Sequence, residues 1–176
     1  MAKTALLVID VQGGLMDGAW RADEVLTAIS DLQRRAHNAG VPIVFLQHNH
    51  ARYEPMMKGA PTWAIHPRVA PQPSELVIEK TASDGFFDTA LQGALERLGV
   101  DRLVVTGMQT EFCVDATCRA ALSRGFEVAL AADAHTTGDA VTPAETTIRH
   151  HNYALGNLAY PHRSILVAPS TDIEFA

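Results

Sequence analysis

The chain has 176 residues, 47% of them hydrophobic and 19% charged, which suits the core of one compact domain and excludes a disordered or collagen-like chain. Against 20 acidic residues stand 14 basic ones, a formal charge of −6, so no basic field exists for a phosphate backbone or an anionic lipid surface. No apolar run approaches the ~18 residues of a membrane span and no cleavable leader pattern opens the chain, so the expectation is a single domain over 1–176, cytoplasmic, without nucleic-acid or membrane partners.

Short apolar runs alternate with longer amphipathic stretches, without a repeat or a linker. Residues 5–10 (ALLVID) read as a buried strand. Asp23 is placed to cap a helix whose apolar positions Val25, Leu26, Ile29, Leu32 and Ala36 follow the helical period, closed by Gly40 and Pro42. Residues 42–47 (PIVFLQ) give a second strand. The segment 48–74 then carries five prolines and no period, and reads as a lid or binding loop. Residues 75–79 (ELVIE) are the third strand, Asp88 opens a helix along Leu91, Leu95 and Leu98 that stops at Gly99, and residues 102–107 (RLVVTG) are the fourth strand. Thr110 is placed to cap a helix over 111–124, closed by Gly125 and followed by a fifth strand at 126–131. Thr142, Pro143 and Glu145 have the pattern of a capping box for a helix along Ile148, His151, Leu155 and Leu158, and residues 164–168 (SILVA) are the sixth strand.

Near-continuous apolar strands separated by helices predict a doubly wound α/β domain: six strands, mostly parallel, with helices on both faces. In such folds ligands bind beyond the carboxyl ends of the strands. Those positions hold Asp10, then His48, Asn49 and His50, then Lys80, then the segment 107–113 (GMQTEFC). Cys113 falls in the first turn of its helix, where the dipole and a nearby Lys80 ammonium are expected to lower the thiol pKa and make a nucleophile. Asp10 is a candidate base for the thiol proton, and backbone amides over 109–113 can face an oxyanion. Taken singly, each has a plainer reading: a buried small hydrophobe for the cysteine, a turn residue for the aspartate, a solvated side chain for the lysine.

At these residues the chain resembles the isochorismatase-like cysteine hydrolases, which include nicotinamidases, N-carbamoylsarcosine amidases and ureidoacrylate amidases. The resemblance lies in LLVIDVQ (6–12), VIEKTASDGFFDT (77–89) and LVVTGMQTEFCVDATCRAA (103–121), in the family's order, and extends over almost the whole chain. It implies that Cys113 is the nucleophile, Asp10 the base and later acid, and Lys80 the group that steadies the thiolate and orients Asp10. It also implies a cis peptide between Met108 and Gln109, an oxyanion site at the amides of Gln109 and Cys113, and a homo-oligomer, dimer or tetramer. The activity implied is hydrolysis of a C–N bond in a small amide, ureido or lactam compound. The alternatives are vinyl ether cleavage, as in the isochorismatase branch, which commonly lacks the cysteine, and a non-catalytic ligand-binding or redox-thiol protein.

Substrate contacts are expected from Gln12, His48, His50, Trp63, Phe86, Phe112 and His135, which lie at or near the strand ends. No metal is expected. A zinc site at His48, His50 and His66 is the variant, because nicotinamidases hold a metal at the corresponding strand end through an Asp-x-His pair, and His48 replaces that Asp here. The Cys-x5-Arg spacing of Cys113 and Arg119 also occurs in cysteine phosphatases, but this segment lacks a glycine and contains Asp115, whose charge repels phosphate. A redox role needs a resolving thiol, and Cys118, five residues along a helix, is expected to point away from Cys113. His151 falls on the apolar face of its helix and reads as a satisfied, partly buried side chain.

Overall fold

The computed structural model describes residues 3–175. At its centre runs β1 (Thr4–Ile9), with all six residues buried, which is why it is apolar without alternation. Around it lie β2 (Ile43–His48), β3 (Leu76–Lys80), β4 (Arg102–Met108), β5 (Glu127–Thr136) and β6 (Ile165–Ala168). The sheet order is β3-β2-β1-β4-β5-β6 and every neighbouring pair is parallel.

The helices are α1 (Gly13–Met16), α2 (Ala22–Asn38), α3 (Leu91–Leu98), α4 (Asp115–Ser123) and α5 (Ala144–Gly156). Leu6 and Val8 of β1 face α2, packing with Val25, Leu26, Ile29 and Leu32. Ala5, Leu7 and Ile9 face the other way, into a core with Leu91 and Leu95 of α3, Cys118 and Leu122 of α4, and Leu155 of α5. Right-handed crossovers explain the division: the chain moves outward from β1 to β3, then returns past β1 and moves the opposite way, so the later helices fall on the second face. The reversal leaves a crevice between the carboxyl ends of β1 and β4, where α/β folds bind ligands. Gly107 of β4, with φ 119°, is packed so closely on Ile9 that a Cβ would overlap the Ile9 backbone.

The β2–β3 connection contains no α-helix. It forms three single 3-10 turns, Glu54–Met56, Pro61–Trp63 and Pro67–Val69, each with a proline at its start, where a fixed φ helps and a missing N–H costs nothing. It is pinned to the chain beyond β1 by Gly13 N–H to Ala64 O (3.0 Å) and His66 N–H to Val11 O (2.8 Å).

Four expected caps are not formed. Asp23 lies inside the first turn of α2, which begins after Arg21 in a left-handed conformation (φ 50°). Asp88, also left-handed (φ 52°), precedes α3 by a further turn. Thr110 is itself inside a π-helical turn, Thr110–Val114, that leads into α4. Thr142 bonds Thr147 Oγ1 instead, and the Ala144 N–H is capped by Asp139 Oδ1 at 2.8 Å. A capping side chain works only when its own backbone is extended, a condition spacing does not encode. The fifth strand also runs past its apolar run to Thr136, because a register shift between Val105 and Gly107 brings His135 opposite Gly107 and Thr136 opposite Met108.

Candidate active site

Three strand ends bring Asp10, Lys80 and Cys113 together. Asp10 follows β1 with φ 51°, fixed by its N–H to Leu46 O at 2.9 Å. Lys80 closes β3, and its ammonium reaches past the end of β2. Cys113 sits in the π-helical turn after β4. Lys80 Nζ stands 2.6 Å from Asp10 Oδ2 and 3.2 Å from Cys113 Sγ. It also lies 3.1 Å from His48 Nδ1 and 3.0 Å from Ala82 O. The Asp10 and Lys80 side chains are both 0% exposed, and Cys113 is 9% exposed. The Lys80 ammonium holds the Asp10 carboxylate, and the Cys113 side chain and the His48 backbone also lie against it and draw its pKa down. A buried carboxylate thus stands beside a thiol.

Burial raises the Asp10 carboxyl above its ordinary value, with the Lys80 ammonium pulling the other way. Burial, and then the Asp10 charge, push the Cys113 thiol up to about 12 against the pull of Lys80. The expected lowering of the thiol pKa is therefore corrected: Lys80 pulls it down as expected, but desolvation in this nearly closed setting outweighs the ammonium. The Asp10 carboxylate lies within reach of the thiol. His48 is held neutral, with its pKa lowered to about 4 by burial and by Lys80.

The Met108–Gln109 peptide is cis. Gln109 O accepts the N–H groups of Phe112 (3.2 Å) and Val114 (3.1 Å), passing over that of Cys113. Above the thiol opens a cavity of about 420 Å³ lined by Asp10, Leu15, His48, His50, Tyr53, Met56, Ser83, Gln109, Phe112 and Cys113. Tyr53 and Met56 come from the proline-rich loop, which shows no period in sequence, and Ser83 from the segment after Lys80. None was singled out by spacing.

Four residues expected at the substrate are elsewhere. Gln12 is fully buried and clamps the backbone of His48, accepting its N–H at 2.8 Å and donating to His48 O (3.1 Å) and Trp63 O (2.6 Å). Trp63 donates its indole N–H to His48 O at 3.0 Å, so it supports the wall from behind. Phe86 is core, stacked on Phe126 at 5.8 Å. His135 is 2% exposed and bonded at both ring nitrogens, to Thr110 and Asn152. Met108, beside the cis bond, is buried in the core.

The three histidines weighed for zinc do not converge. His50 Nδ1 accepts the N–H groups of Arg52 and Tyr53, His66 Nδ1 accepts that of Arg68, and His48 Nδ1 faces an ammonium. The group of three ligand-type side chains among the described residues is Asp10, His48 and Cys113, with Lys80 in its midst, an arrangement that repels a cation. Arg119 is held by Asp115 in a two-pronged pair (2.8 and 3.0 Å), not turned to Cys113 as a phosphate site needs. Both cysteines are free and buried. Among the described residues, no helix is long and apolar enough to cross a membrane.

A carboxylate, an ammonium and a thiol at the switch point of an all-parallel sheet define the class as an α/β protein with a cysteine site at the carboxyl edge of its sheet. A family model described as the Isochorismatase domain matches residues 4–161, and the chain belongs to the isochorismatase family. Streptothricin hydrolase of Streptomyces noursei is 41% identical over 165 residues, which cover 87% of this chain and 65% of that protein; the chain thus spans just under two thirds of that relative's length. Nicotinamidase 3 of Arabidopsis thaliana is 34% identical over 149 residues, covering 76% of this chain and 73% of that one. Among solved structures, an isochorismatase from Pseudomonas putida KT2440 superposes with a TM-score of 0.88 at 26% identity, over 98% of this chain and 90% of that one.

Proposed function

We propose that the protein hydrolyses a carbon–nitrogen bond of a small amide, ureido or lactam compound through a thioester on Cys113. The observation that carries this reading is Lys80 Nζ placed between Asp10 Oδ2 (2.6 Å) and Cys113 Sγ (3.2 Å) beneath a cavity of small-molecule size. Relatives named as a streptothricin hydrolase and a nicotinamidase support it.

In this mechanism the thiol proton passes from Cys113 to Asp10 as sulfur attacks the carbonyl carbon, and Lys80 compensates the charge that moves. The carbonyl oxygen becomes an oxyanion facing the N–H groups of Gln109 and Cys113. Asp10 then gives its proton to the departing nitrogen, and the C–N bond breaks. Water, losing a proton to Asp10, attacks the thioester; the acid leaves and the thiol is restored. His48, neutral and hydrogen-bonded to Lys80 at Nδ1, presents Nε2–H as a donor, and Phe112, Leu15 and Met56 supply apolar wall. The chain's own groups carry every step, so the proposal includes no metal; cytoplasmic location and a homo-oligomer belong to the same proposal.

The test is incubation with nicotinamide, a ureido acid, a simple lactam and streptothricin, followed by intact mass and product analysis. A transient acyl adduct on Cys113, with product formation lowered about 100-fold or more in Cys113→Ala and Asp10→Asn, is the expected result. Undiminished turnover in Cys113→Ala overturns the mechanism.

A further inference from the structure

The turn that carries Cys113 is tied to the rest of the fold by a buried chain of hydrogen bonds. Thr110, the first residue of that turn, is 0% exposed, and its Oγ1 lies 2.9 Å from His135 Nδ1 on β5. His135 Nε2 lies 2.8 Å from Asn152 Oδ1 on α5, and Asn152 Nδ2 donates to Ala132 O at 3.1 Å. The last bond fixes the direction of the rest. Asn152 turns its oxygen to the ring, so Nε2 carries the hydrogen, Nδ1 of the neutral ring accepts, and the Thr110 hydroxyl donates. A second tie runs from Thr137 Oγ1 to Glu111 Oε1 at 3.0 Å.

A π-helical turn occurs mostly as a single turn at functional sites. Here side-chain hydrogen bonds tie it to β5 and α5, and neither Thr110, His135 nor Asn152 lines the cavity above Cys113. From this we infer that Thr110 and His135 are positioning residues, which set Cys113 Sγ against Lys80 and Asp10 without touching the substrate. The inference rests on the nucleophilic role of Cys113 proposed above.

The test uses p-nitrophenyl acetate as acyl donor. Thr110→Val removes the hydroxyl at constant shape, and Thr110→Ser restores it. Thr110→Val is expected to lower kcat for p-nitrophenol release on the order of 10- to 100-fold, as expected for a misplaced reacting group, with KM within about twofold. Thr110→Ser is expected to recover kcat to within about threefold. A merely structural role would lower the melting temperature and leave kcat of the folded protein unchanged. If Thr110→Val does not fold, His135→Asn and His135→Gln replace it: Asn keeps an acceptor at the Nδ1 position and Gln does not, so Asn is expected to retain more kcat. Wild-type kcat in Thr110→Val, or equal kcat in the two His135 variants, overturns the inference. Cys113→Ala separates the two readings. If it releases p-nitrophenol like wild type, the proposed function fails; if it is inert while Thr110→Val is unaffected, the positioning role alone fails.

Discussion

Lys80 Nζ lies 3.1 Å from Nδ1 of His48 and so decides which nitrogen of that imidazole carries hydrogen. An ammonium only donates, so Nδ1 accepts and Nε2 is protonated. Burial and then the Lys80 charge hold His48 at about 4. In Lys80→Met the second cause is gone while the first remains. The His48 titration followed by NMR is expected to begin near 4 and to rise in the variant without regaining 6.5. An unmoved midpoint contradicts the contact.

The Asp10 charge raises the Cys113 pKa, yet the proposed reaction needs Asp10 as base. Asp10→Asn therefore separates reactivity from catalysis. Alkylation of Cys113 by iodoacetamide at pH 8 is expected to be slow in wild type and several-fold faster in the variant, while amide turnover falls roughly 100- to 10,000-fold. Parallel changes in the two rates would mean that Asp10 acts on the thiol alone.

His135 ties acid stability to the turn. Burial lowers its pKa from 6.5 to about 4, so between those values the unfolded chain binds a proton that the folded one does not. The stabilisation is whole above pH 6.5 and is lost as pH falls toward 4, a change on the order of 3 kcal/mol at about 1.4 kcal/mol per unit. Urea unfolding at pH 7 and pH 4.5 is expected to show wild type losing more stability than His135→Asn. A larger loss in the variant reverses the assignment.

Two phenylalanines with similar sequence credentials are expected to behave differently. Phe112 is 53% exposed at the cavity wall, whereas Phe86 is 6% exposed in the core. Phe112→Ala is expected to raise KM about tenfold with little change in melting temperature. Phe86→Leu is expected to cost about 1 kcal/mol of stability with KM unchanged. Steady-state kinetics beside thermal unfolding of both variants checks the pair, and a KM effect from Phe86→Leu would place it at the substrate.

The strands were legible because a sheet covered on both faces demands uninterrupted apolar runs, as in 5–9 and 103–106. The ends of those runs then marked Asp10, Lys80 and Cys113, since connectivity alone puts strand ends on one edge. Gln12 and His135 are both satisfied inside the protein, and a sequence does not separate them from side chains that face a ligand, because both carry the same letter. The upward push on the Cys113 thiol was hidden similarly, because helix starts and lysines are visible in a sequence but the degree of desolvation is not. The π-helical turn and the left-handed Asp10 and Arg21 leave no periodic trace.

Asp10, Lys80 and Cys113 reach one another only when β1, β3 and β4 are all in place, and β1 lies between the other two in the sheet. No fragment missing one of those strands contains the site. Before the sheet closes, Cys113 is an ordinary thiol near 9.0; once it closes, the thiol is pushed up to about 12. A short pulse of iodoacetamide during refolding thus marks the chains whose sheet is still open, and the decay of labelling times the closure of the fold.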